Sequence, residues 1–206
     1  MPSPAPSPPR GLLVLAFAAI FVVWGTTFLA IRYAVETIPP LVTAGVRHGT
    51  AGSILFALAW ARGYRPRRSD WLAGSVLGAL FFLAGHGLLH WAEQHIASGL
   101  AALLIATEPM VILGLGVALG RQRLNRRNAL GLVVGLAGVA LLTVPELGEL
   151  PVIDRAIFAT LTSSLAWSLG VVVGPLLRLP EHPLGRAAVT TLTGGAMLLA
   201  LAALTG

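Results

Sequence analysis

The sequence predicts an all-α fold: a polytopic transmembrane helix bundle with seven helices present. Three observations predict it, namely apolar segments of membrane-spanning length, arginines gathered on one side of them, and aromatic residues at their ends. Of the 206 residues, 56% are apolar and only 11% are charged, against about 25% charged in soluble domains. The apolar segments cover 11–33, 40–60, 71–91, 97–119, 129–144, 156–177 and 184–204. A helix rising about 1.5 Å per residue needs about 20 residues to cross the hydrocarbon layer, and only the fifth segment falls short. Barrel strands would be about half as long and would alternate in polarity, which none of these does.

Each element has its own justification. Residues 1–10 alternate proline with small residues and are expected to form a short disordered tail. The first segment is longer than a signal-peptide core of about 7–15 residues and has only Arg10 as a basic flank, so it reads as a retained helix. Arg62, Arg65, Arg67 and Arg68 follow the second segment. Arg121, Arg123, Arg126 and Arg127 follow the fourth, and Arg178 and Arg186 follow the sixth. The other connections hold Arg32 and Arg155, with Glu36, Glu93, Glu146, Glu149 and Asp154. With Arg10, eleven arginines lie on one side and two on the other, and the positive-inside rule places the N-terminus in the cytoplasm. Trp60, Trp71, Trp91, Tyr33 and Tyr64 sit at segment ends, as interfacial aromatics do.

Composition also excludes. The chain has no cysteine, which removes disulfides, thiol catalysis and cysteine-ligated metals. Its net charge of +6 is carried entirely by arginine, and because these arginines separate apolar segments, topology explains them rather than nucleic acid. Phosphate loops and nucleophile elbows are absent from the sequence. The glycine-rich stretch at 131–138 follows no strand, so it is not a dinucleotide fingerprint. No cofactor and no metal is expected. The expected partners are a small-molecule substrate, membrane lipid and, through glycine-lined faces, a second copy in a homo-oligomer.

Small residues four apart recur at Gly45/Gly49, Gly74/Gly78, Gly116/Gly120, Gly131/Gly135 and Gly170/Gly174. Such pairs let helix backbones approach closely, so the set predicts a compact bundle. Polar residues inside the segments are the candidate functional groups. Glu108 lies near the bilayer midplane and is followed by Pro109, which removes a backbone donor. A carboxylate there must face the bundle interior or water, which makes it a candidate proton carrier or a structural hydrogen-bonding group. Arg47 either snorkels outward or turns inward to bind a carboxylate, that of Glu108 or of a substrate. His48, beside it, points elsewhere. His86 and His90 are four apart and share a helix face near the outer boundary; they read as the lining of a cavity mouth, or as two ligands of a metal or haem. Trp24 and Trp167 lie far from the interfaces, which suggests a cavity wall. Thr26, Thr27, Ser163, Ser164 and Ser168 lie near them, free to bond substrate or their own backbone. Trp24 precedes the Pro39-Pro40 pair by fifteen residues and Trp167 precedes Pro183 by sixteen. Their helices run in opposite directions, a hint of inverted repeats.

These residues carry a resemblance. Trp24-Gly25-Thr26-Thr27-Phe28 runs on through Arg32-Tyr33-Ala34 to Ile38-Pro39-Pro40, with Arg47 after it. Ala97-Ser98-Gly99-Leu100-Ala101-Ala102-Leu103-Leu104 is followed by Thr107-Glu108-Pro109. Arg123-Leu124-Asn125-Arg126-Arg127 is followed by Gly131, Gly135 and Gly138-Val139. In order and spacing, the set resembles the EamA family of the drug/metabolite transporter superfamily over about residues 15–145. The resemblance implies ten helices in two inverted five-helix repeats. Residues 11–145 would then be the first repeat and 155–206 the first two helices of the second. Three helices are expected to be missing, so that the chain alone would insert but transport poorly. The implied function is secondary transport, mostly export, of small metabolites, amino acids or drugs across a bacterial inner membrane, with proton coupling or exchange. The implied path includes Trp24, Thr27, Arg47, His86, Glu108 and Trp167. Gln122 stands where the family usually has glutamate, at a position that reads as structural. Two other classes compete: a metal- or haem-dependent membrane enzyme centred on His86 and His90, and a non-transporting structural bundle without a central polar cavity.

Overall fold

The computed structural model describes residues 9–123, 125–147 and 155–205. The expected tail at 1–8, and the connection at 148–154 with Glu149 and Asp154, lie outside the described residues. Among the described residues the fold is all-helical, in seven consecutive rods: α1 (Arg10–Val35), α2 (Pro40–Ala61), α3 (Arg68–Ala92), α4 (Ser98–Ala118), α5 (Arg126–Leu147), α6 (Arg155–Leu176) and α7 (Pro183–Thr205). Five of them, α1, α3, α4, α6 and α7, are long and apolar enough to cross a membrane. The 22 residues of α2 include Arg47, His48 and three glycines, which dilute its apolar content.

The ends of the rods follow from local chemistry. Proline occupies the first position of α2 and of α7, where its missing N–H would have no intrahelical partner anyway. Gly63 (φ 89°) turns the chain after α2 and Gly120 (φ 67°) after α4, a conformation that glycine adopts without steric cost. At the start of α3 the Arg67 backbone N–H donates to Asp70 Oδ2 at 3.0 Å.

Two rods are irregular inside. In α3, residues Ala79–His86 form a π-helix. In α4 the helix stops after Ile105 and restarts at Glu108. Pro109 has no N–H to give to the Ile105 carbonyl four residues back, and its ring clashes there. The Thr107 hydroxyl donates to the Leu104 carbonyl at 2.6 Å across the break.

The closest packing is between α2 and α7, with α3 beside them. Gly45, Gly49 and Gly52 form one stripe on α2. A methyl group on Gly45 would meet the Leu199 side chain at 2.8 Å, and one on Gly52 would meet the Leu192 backbone nitrogen at 2.5 Å. Gly74 and Gly78 of α3 likewise face Val189 and Thr193 of α7, and the Thr193 hydroxyl donates to the Gly74 carbonyl at 2.9 Å. Gly170 and Gly174 of α6 receive Phe81 and Leu77 of α3. The remaining two predicted pairs work differently. Gly116 faces the side chain of Gln122 in the turn after its own helix and Gly120 makes that turn, while Gly131 has open space around it and Gly135 of α5 receives Met110 of α4. A separate apolar core joins α1, α3, α4 and α6 through Phe28, Leu89, Leu104 and Ala159.

Candidate functional site

α1, α2, α3, α4 and α6 line an open-sided cavity of about 500 Å³. All six residues singled out from the sequence line it: Trp24 and Thr27 from α1, Arg47 from α2, His86 from α3, Glu108 from α4 and Trp167 from α6. Phe28, Leu89, Ile105 and Ser163 complete much of the wall. The break in α4 puts Glu108 at the first position of a new helix, where the free N–H groups of the helix start favour a negative charge. Glu108 and Arg47 do not pair. Among the described residues the one ion pair is Arg32 with Glu36, at 4.0 Å.

Each wall residue is held by its own element. Thr27 is half-buried and its hydroxyl donates to the Val23 carbonyl at 2.8 Å, so the methyl rather than the hydroxyl is left for the cavity. Thr26 does the same toward Val22 at 2.7 Å. Ser163 donates to the Gly85 carbonyl at 2.8 Å, a bond that ties α6 to the π-helical part of α3. Trp167 packs on Phe81, with ring centroids 4.6 Å apart, and edge-on against His86 at 5.5 Å. Trp24 is 56% exposed and forms the outer rim.

The histidines are closer together than their spacing in sequence suggests. His48 packs against His86 with ring centroids 4.5 Å apart and against Phe82 at 4.4 Å. His86 and His90 are 5.8 Å apart, and His90 Nδ1 lies 2.7 Å from the His86 carbonyl oxygen. That contact makes Nδ1 the protonated nitrogen of a neutral His90. Among the described residues no group of three or more His, Asp or Glu side chains is placed to hold a metal ion. A second, larger recess of about 770 Å³ between α2, α3, α6 and α7 has no charged lining.

Two residues at the ends of the rods are more buried than their positions in the sequence suggest. Glu93 lies in the connection after Ala92, where the sequence places it, but it is fully buried at 0% exposure. The Arg32 guanidinium donates to its backbone carbonyl and the Gln94 side chain donates to the Val35 carbonyl at 3.3 Å, so the end of α1 folds over the end of α3. Tyr64, taken as an interfacial aromatic, is buried at 8% exposure. Its hydroxyl donates to Asp70 Oδ2 at 2.9 Å, and its ring stacks on His182 at 5.6 Å. The hydrogen bond to Asp70 and burial both push the phenol pKa upward, burial more strongly. Tyr64 thereby clasps the α2–α3 connection to the α6–α7 connection.

Membrane-length helices packed on glycine faces, around an interior cavity with an arginine, a glutamate, a histidine and two tryptophans, define a polytopic helical membrane protein. The chain belongs to the EamA-like transporter family, which it matches over residues 10–144. It is 32% identical over 201 residues to the uncharacterized inner membrane transporter YedA of Escherichia coli K12, covering 96% of this chain and 64% of that protein. It is 28% identical over 187 residues to an uncharacterized transporter of Archaeoglobus fulgidus, covering 91% and 63%. Protein PagO of Salmonella typhimurium is 29% identical over 136 residues, covering 64% and 44%. The chain thus spans less than two thirds of the length of these relatives. No solved structure matches it.

Proposed function

We propose that the cavity is the substrate chamber of a secondary transporter for small metabolites, with export as its direction. The observation that carries this reading is the convergence of Trp24, Thr27, Arg47, His86, Glu108 and Trp167, from five helices, on one cavity. A volume of about 500 Å³ lies within the range of about 300–1,000 Å³ typical of small-molecule sites. Charged groups inside a bilayer are costly and mark substrate or ion pathways. Arg47 supplies a fixed cation for an anionic group, the two tryptophans supply apolar walls, and Glu108 is the group placed to exchange a proton with the cavity.

Residues 11–145 act in this scheme as one five-helix repeat and 155–206 as part of an inverted partner, with the N-terminus in the cytoplasm. Transport then proceeds by movement of one repeat against the other around a midplane site. The test is flux in proteoliposomes over a panel of metabolites. It compares the 206-residue chain with a chimera extended by the matching C-terminal part of a longer relative. Flux that is substrate-selective and lost in Arg47→Ala supports the reading. A panel without any selective flux from either form overturns it.

A further inference from the structure

The end of α3 is capped by Glu93, a second carboxylate that the substrate chamber does not use directly. His86, Leu89 and Glu93 follow at spacings of three and four, so they form one stripe of the helix. The first two line the cavity, and Glu93 is next along, with its side chain fully buried. Neither carboxyl oxygen has a hydrogen-bond partner, although buried polar atoms are nearly always paired. The charged and titratable groups around it come from three helices. α1 supplies Arg32, which holds the Glu93 backbone carbonyl. α2 supplies Arg47, within electrostatic reach of Glu93, and His48, whose ring lies against His86. α3 supplies His86 and His90. Among the described residues Arg47 makes neither a hydrogen bond nor an ion pair. A cation in the cavity wall thus lies within electrostatic reach of an unpaired buried carboxylate.

We propose that Glu93 is an internal rival for Arg47: when ionised it draws the guanidinium to itself, and when protonated it releases Arg47 to an aromatic organic anion in the cavity. The inference rests on the cavity being the substrate site. The exchange is balanced. The ligand carboxylate and one proton enter, the proton bonds to a Glu93 oxygen, and the ligand takes Glu93's place beside a guanidinium that keeps its charge throughout. Trp24, Phe28 and Trp167 receive the ring.

Ligand and proton then help each other bind, by the reciprocity of linked equilibria. Burial pushes the Glu93 carboxyl up to about 8, while Arg32 and Arg47 pull it the other way. An anion occupying Arg47 weakens that pull, so the liganded protein holds the proton to a higher pH. Affinity is therefore flat below pH 8 and falls by up to about tenfold per pH unit above it, until the liganded protein also loses the proton.

The experiment is calorimetric binding of indole-3-acetate to the purified 206-residue chain in lipid nanodiscs. It is run from well below to well above pH 8 in buffers of different ionisation enthalpy. The expected result is a fall in affinity above pH 8, with up to one proton taken up per ligand bound there. Glu93→Gln, a neutral isostere, is expected to keep the low-pH affinity at every pH and to take up no proton. Proton uptake by the parent alone supports the proposal even if that variant does not fold. An affinity independent of pH in the parent, or a fall that persists in Glu93→Gln, overturns it. Absence of binding at every pH overturns the ligand class, while the metabolite flux assay judges the chamber separately.

Discussion

Replacing Gly52 by alanine should drive α2 and α7 apart. The added carbon would lie 2.5 Å from the Leu192 backbone nitrogen and 2.6 Å from its Cα. An unstrained carbon contact needs about 3.5–4.0 Å, so the shortfall is about 1 Å. The obstacle is backbone, which cannot rotate away as a side chain would, and α7 must shift as a rod. Overpacking of this kind costs about 1–3 kcal/mol, and the better helix propensity of alanine returns up to about 1 kcal/mol. A net loss of about 1–2 kcal/mol is expected. Gly114→Ala is the control, because nothing lies within 4 Å of the added carbon there, and it should be neutral or slightly stabilising. Both variants can be unfolded by titration with SDS in mixed micelles and followed by tryptophan fluorescence. If Gly52→Ala were as stable as the parent and as Gly114→Ala, the glycine stripe would not set the α2–α7 distance and the packing argument would fail.

Three further outcomes are expected. Single cysteines at Arg65 and Gly148 should differ toward an impermeant thiol reagent in intact cells, only the second reacting; equal labelling would refute the arginine-based topology. Glu108→Gln should insert normally but lose proton-linked flux, and an unchanged rate with an unchanged pH profile would remove Glu108 from the mechanism. The buried Glu93 carboxyl, raised from 4.5 to about 8, stays protonated in the folded chain at pH values where the unfolded chain has released the proton. Stability should therefore fall as pH rises through that window, and an SDS-unfolding series in which Glu93→Gln kept the parent's slope would contradict this.

The seven rods were legible because bilayer thickness fixes how long an apolar run must be. The second segment, expected over 40–60, is Pro40–Ala61 in the structure. The six cavity residues were legible for a related reason: a charge, an imidazole or an indole deep in an apolar segment needs an interior place. What remained hidden depends on which helices meet. Glu93 looked like a loop acid because its burial is supplied by α1, through Arg32 and Gln94. Tyr64 looked interfacial because its partner His182 is remote in sequence. His48 was read as pointing away from Arg47, and its ring meets His86 of the cavity wall. The wide turn in α3 has no marker in its own residues, since Ala79–His86 is as apolar as a regular helix would be.

That wide turn has a bearing on how the gene can vary. Successive residues of a regular helix are about 100° apart around the axis. Gly74 and Gly78 before the turn must face α7, while His86 and Leu89 after it must face the cavity. The angle between these two demands is set by the number of residues in the turn, whatever their identity. A wide turn takes up about one residue more than a regular one, so letting the same eight residues wind as a regular helix would rotate everything beyond them by about 100°. Leu89 would leave the chamber and Glu93 its buried place behind it, although each would still be encoded. Apolar substitutions that keep the wide turn should be tolerated among residues 79–84, whereas a change that lets the same residues wind regularly should be purged.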